Sequence, residues 1–78
     1  MPKDGLVPTA DVAIRIAVAV WEPIYGEKNI ERQKPFNTTL THGVWRVQGS
    51  LPPGWLGGTA LAEISQKDGR ILRVSHGK

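Results

Sequence analysis

The chain has 78 residues, with 10 basic against 7 acidic groups and a formal charge of +3, enough for one small domain and no more. With no cysteine and two histidines, it excludes a disulfide scaffold and a thiolate metal site and leaves little for any other transition-metal centre. The basic excess is mild and unclustered, which argues against a nucleic-acid-binding stripe.

Residues 1–8, with Pro2, Gly5 and Pro8, read as a flexible N-terminal tail, and residues 9–78 as a single α+β domain. No signal-like apolar stretch precedes Pro8. The longest apolar run, Thr9–Tyr25, predicts a helix. Thr9 is a suitable N-cap, and Asp11 places negative charge near the positive end of the helix dipole. Asp11, Arg15 and Glu22 share one face, which leaves Val12, Ala13, Ile16, Ala17, Ala19, Val20 and Ile24 for the interior. A helix so apolar needs cover over most of its circumference, and a curved sheet can supply it. The run is too short to cross a bilayer and carries charge, so no membrane partner is expected. Pro23 should kink or end the helix near Trp21–Glu22, with Gly26 as an αL stop. Glu27–Lys34 reads as a short second helix or an ordered loop, with Ile30 as its anchor and Pro35 a natural end.

From Pro35 the apolar period changes to two. A two-residue turn at His42-Gly43 sets Leu40 against Trp45, Thr38 against Val47, and Phe36 against the bare backbone of Gly49. Pro52–Gly58 connects to the next strand, where Ala60, Ala62 and Ile64 alternate. In the last hairpin, a three-residue loop Lys67-Asp68-Gly69 sets Ile64 against Leu72, Ala62 against Val74 and Glu63 against Arg73, with Gly69 in αL as a G1 bulge. The architecture expected is a long helix, with or without a short second one, on a curved four-stranded antiparallel meander. Trp21 and Trp45 belong to its core, and Phe36, Leu40, Val47, Ile64, Leu72 and Val74 cover the helix.

Reaction chemistry is not visible in these residues. Asp11 and Glu22 lie about 16 Å apart along the helical rise, too far for an acid–base pair. Glu63 is expected to form a solvated cross-strand pair with Arg73. Neither His42, in a turn, nor His76, after Val74, has a carboxylate or nucleophile placed beside it. Gly54, Gly57 and Gly58 lie between strands rather than opening a helix, unlike a phosphate loop. Trp55 and Leu56 either cap the open end of the core or form an exposed binding tip. Arg46, Arg70 and Arg73 gather on the outer sheet face and its last hairpin, without the interleaved aromatics that stack bases.

The ordered segments Trp21-Glu22-Pro23-Ile24-Tyr25-Gly26, Gln33-Lys34-Pro35-Phe36, Gly43-Val44-Trp45-Arg46-Val47, Gly49-Ser50-Leu51-Pro52, Gly57-Gly58, Lys67-Asp68-Gly69-Arg70-Ile71-Leu72 and His76-Gly77-Lys78 carry a resemblance. From about Val7 to Lys78 the chain resembles the immunity-protein family with a nuclear-transport-factor-two-like fold of bacterial polymorphic toxin systems. The resemblance implies a cystatin-like α+β fold and an antitoxin that binds and blocks a cognate protein toxin, and it carries over no catalytic residues; no enzymatic activity, cofactor or metal is expected. Superfamily members with a catalytic pocket keep an inward acid and a histidine. This chain has no acid at an inward sheet position. The partner-binding candidates are Arg46, Trp55, Arg70 and Arg73. The expected compartment is the cytoplasm, or the periplasm if a leader has been removed. A small enzymatic or ligand-binding domain of the same fold is the alternative.

Overall fold

A computed structural model describes residues 5–51 and 58–76. Helix α1 (Ala10–Tyr25) starts as expected: Thr9 is extended, and its Oγ1 accepts the Val12 N–H at 3.4 Å. Such a cap contributes about 1 kcal/mol. Burial of one large side chain contributes about 1.5–3 kcal/mol, so the seating of α1 is decided by Trp21, which is fully buried. Ala13 and Ala17 complete the buried stripe at helical spacing and let the backbone approach the sheet closely.

Pro23 does not end α1, which runs on to Tyr25. Pro23 stands in the last turn, so it removes one ladder bond near an end that is closed anyway by Gly26 N–H on the Glu22 carbonyl at 2.9 Å. Gly26 has φ 92° and ψ 138°, positive φ but not the αL conformation expected. It ends α1 and is also the N-cap of α2 (Glu27–Glu31), the short second helix, whose Ile30 is buried.

The sheet is an antiparallel meander in the order β1 (Asn37–Thr41), β2 (Val44–Gln48), β3 (Ala60–Ser65), β4 (Ile71–His76). The first hairpin has the expected register, Thr41 with Val44, Leu40 with Trp45, and Thr38 with Val47. Its turn residues His42 and Gly43 both have positive φ, 50° and 76°, the signature of a type I′ turn that matches strand twist. Trp45, Val47, Ala60, Ala62 and Ile64 form the sheet side of the core, and Trp21 meets Phe36 edge-on at 5.5 Å.

The second hairpin departs from the expected register. Ala62 pairs with Val74 and Glu63 with Arg73, but Ile64 pairs with Ile71, with a register shift between Glu63 and Ile64. Gly69 has the expected positive φ of 76°, yet the loop is longer than three residues: Ser65 N–H reaches the Arg70 carbonyl at 2.9 Å. The cause is at the start of the chain. Leu6 and Val7 donate to the carbonyls of Lys67 and Gln66, both at 3.0 Å, so those groups do not close the hairpin. Val7, read from the sequence as part of a tail, is 0% exposed, and the Trp45 indole N–H donates to its carbonyl at 2.7 Å. Leu72, left without a partner at this register shift, is 47% exposed rather than buried. Leu40 also falls outside the core, at 43% exposed, because its strand has a neighbour on one side only.

Candidate functional site

The outer face of the sheet carries a row of side chains fixed by the registers: Thr39, Arg46, Glu63 and Arg73 stand side by side across the four strands. Arg46 and Arg73 are exposed and Glu63 between them is half-buried. Glu63 and Arg73 are opposite one another as expected, but the cross-strand ion pair is not formed: among the described residues, ion pairs involve only Arg15, Lys34 and Arg70. Both guanidinium groups of the row are therefore available to a partner. A shallow concavity of about 430 Å³ opens beside Arg46, bordered by Thr39, Thr41, His42, Val44 and Glu63.

Of the four residues singled out from the sequence, Arg46 and Arg73 come together in this row. Arg70 does not join them. It sits in the β3–β4 turn, where it lies 3.7 Å from the Asp68 carboxylate. Asp68 accepts the Arg70 backbone N–H at 3.0 Å. That bond, and next the Ser65 hydroxyl, hold its carboxyl below the usual carboxylate range, with the charges of Arg70 and Lys67 adding less. Trp55 lies outside the described residues.

A second feature was missed from the sequence. Because the sheet covers only the Ala13–Ala17–Trp21 stripe of α1, Ile14 and Val18 remain half-buried on its flank. They border a groove of about 830 Å³ closed on the other side by Ile30, Pro35 and Phe36. The signal was present in the apolar circumference of Thr9–Tyr25, which exceeds what one face of a small sheet can cover.

A buried polar junction was missed as well. Gln33, 4% exposed, accepts the Ala60 N–H on Oε1 at 2.7 Å, and its backbone carbonyl accepts the Ser50 N–H at 2.8 Å. Since Oε1 is thus identified, its Nε2 must donate to His76 Nε2 at 3.2 Å, which places the imidazole proton on Nδ1. Tyr25 lies against the same imidazole, ring centres 4.9 Å apart. Gln33 also explains Gly49: a Cβ there would lie 2.8 Å from the Gln33 Cβ. The bare backbone expected to receive Phe36 receives Gln33 instead. This junction ties helix ends to strand ends and is structural.

The space between helix and sheet, where a catalytic or ligand pocket of the alternative reading would lie, is filled by Trp21, Trp45 and Ile64. Leu72, expected beside them, takes no part. Among the described residues, no group of three or more His, Cys, Asp or Glu side chains is placed to hold a metal ion. No helix among them is long and apolar enough to cross a membrane.

The chain matches the family described as NTF2 fold immunity protein over residues 12–78, from the first turn of α1 through β4. Two relatives in Escherichia coli (strain K12) are similar along most of the chain. Uncharacterized protein YhhH is 34% identical over 75 residues, 95% of this chain and 59% of its own length. Uncharacterized protein YbbC is 36% identical over 73 residues, 92% of this chain and 60% of its own. The chain thus spans about three-fifths of the length of these curated relatives. No solved structure matches it.

Proposed function

The chain belongs to the NTF2 fold immunity-protein family, and we propose that it acts as an antitoxin that binds a cognate bacterial toxin stoichiometrically and blocks it by occlusion. The observation that carries this reading is the extent of the family match, which takes in every element of the fold. The reading is non-enzymatic, and the packed space between α1 and the sheet supports it.

The docking surface we propose is the outer sheet face around Arg46 and Arg73, two exposed cations that flank a single carboxylate, Glu63. Such a surface suits an acidic patch on the toxin, and its main effect is on the rate and specificity of association. We propose Arg70 and Trp55 as further contacts with the toxin. The toxin belongs to a polymorphic toxin system, and the compartment follows its target: cytoplasm for a toxin that attacks nucleic acid, periplasm for one that attacks the envelope.

The test is co-expression with the toxin encoded beside the gene. Growth should be restored, and the two proteins should co-purify as a complex of fixed stoichiometry. If no neighbouring gene encodes a toxin that this chain binds and neutralises, the reading is wrong.

A further inference from the structure

The groove between α1 and α2 has a charge pattern that identifies its occupant. Its α1 wall is Ile14, Arg15, Val18, Ala19 and Glu22, and its floor includes Ile30 and Phe36. Four charges line it: Arg15, Glu22, Glu31 and Lys34. They cancel, on a chain whose formal charge is +3. Glu31 and Lys34 neutralise each other at 3.0 Å. Arg15 lies 3.2 Å from Asp11, but both side chains are more than 70% exposed, so the pair is weak and is readily shared. Glu22 takes part in none of the ion pairs among the described residues. A strongly acidic or strongly basic partner gains nothing here. A partner that presents the same pattern reversed does.

We infer that the occupant is a second copy of this chain, joined to the first through antiparallel α1 helices about a two-fold axis between Val18 and Ala19. Arg15 and Glu22 lie on one face of α1, about 10.5 Å apart along its axis, with Val18–Ala19 midway. Rotation about that midpoint sets Arg15 of each protomer against Glu22 of its partner, so that both bonds form at once. This is the self-complementary pairing that a two-fold interface requires. Ala19 is exposed and small, which permits helix axes to approach to about 8–10 Å. The approach covers the Ile14 and Val18 flank that the sheet leaves half-buried. The dimer leaves the outer sheet face free, so it is independent of the toxin-binding proposal.

Sedimentation equilibrium of the 78-residue chain, from micromolar to millimolar, tests the inference. Wild type should pass from monomer to dimer with concentration. Ala19→Arg, at an exposed position that leaves the core intact, should stay monomeric. Arg15→Glu and Glu22→Arg should each weaken dimerisation at least tenfold. The double variant, which exchanges the charges, should recover to within a few-fold of wild type. Thermal melting followed by circular dichroism identifies any variant that fails to fold, and the charge-exchange comparison is made among folded variants. A wild type that remains monomeric, or a dimer that survives Ala19→Arg, overturns the inference. So does a monomeric wild type whose toxin binding is lost on Ala19→Arg, because that outcome gives the groove to the toxin.

Discussion

In the β1–β2 hairpin, the turn His42-Gly43 sets the register by its own conformation, and the apolar pairs follow from it. In the β3–β4 hairpin, the register is decided by residues at the other end of the chain. Leu6 and Val7 take the carbonyls of Gln66 and Lys67, the closing bond moves to Ser65 and Arg70, and the register slips between Glu63 and Ile64. The first hairpin is local physics; the second is local turn chemistry overridden by a distant strap. The slip has a surface consequence, because it exposes Leu72 while leaving Arg73 in register with Glu63 and in the charged row.

The largest effect that separates the two hairpins is expected at glycines. Gly5 has φ 84°, and a Cβ there would meet the Gln66 backbone, including its carbonyl carbon at 3.0 Å. Gly5→Ala combines backbone strain with overpacking and should cost about 3 kcal/mol in urea unfolding. Gly43 has φ 76° with open space around it, so Gly43→Ala should cost only about 1 kcal/mol, the strain alone. Equal costs would mean that the lead-in does not press on the turn.

Val7→Ala removes a fully buried side chain and should cost about 2 kcal/mol. Amide exchange should quicken at Ser65 and Ile71–Arg73, with the β1–β2 amides affected only through global stability. In the first hairpin, the Thr38 hydroxyl is buried without a hydrogen-bond partner among the described residues. Thr38→Val keeps the shape and removes the unsatisfied group, and it should stabilise by about 1 kcal/mol.

Leu72→Lys measures the slip itself. In the register read from the sequence, Leu72 is a core residue, whose loss costs about 2–5 kcal/mol. In the observed register it is exposed, and the change should stay within about 0.5 kcal/mol. The smallest effect is at Asp68, whose folded carboxyl titrates below its ordinary value of 3.8. A depressed value means stability that is present above the ordinary range and lost as pH falls through the folded one. Asp68→Asn should therefore melt slightly lower than wild type at neutral pH, and the gap should close on acidification. A gap that widens toward acid would contradict the turn geometry.

Much of the fold was legible because its signals are local. Thr9 before an apolar run, the period of two from Phe36, and the positive-φ glycines at 43 and 69 each act within a few residues. What was not legible acts across the chain. Gln33 is a polar residue in a charged segment, and only the fold brings it to Ala60 and His76. Val7 looked like tail because a single valine between prolines and glycines has no periodicity to place it. For the candidate site, the strand alternation already put Arg46 and Arg73 on one face. The displacement of Arg70 depends on Asp68 and on the longer turn, which alternation cannot supply. The groove beside α1 needed the knowledge of how little of the helix the sheet covers.

The central claim, that the chain neutralises a toxin through the Arg46–Arg73 face, is tested most directly by titrating it calorimetrically into the purified toxin encoded beside its gene. The account predicts one chain bound per toxin. It predicts binding at least tenfold weaker for the Arg46→Glu, Arg73→Glu double variant, and unchanged for Ala19→Arg. Undiminished binding by the double variant, or no heat of binding from the wild type, would contradict it.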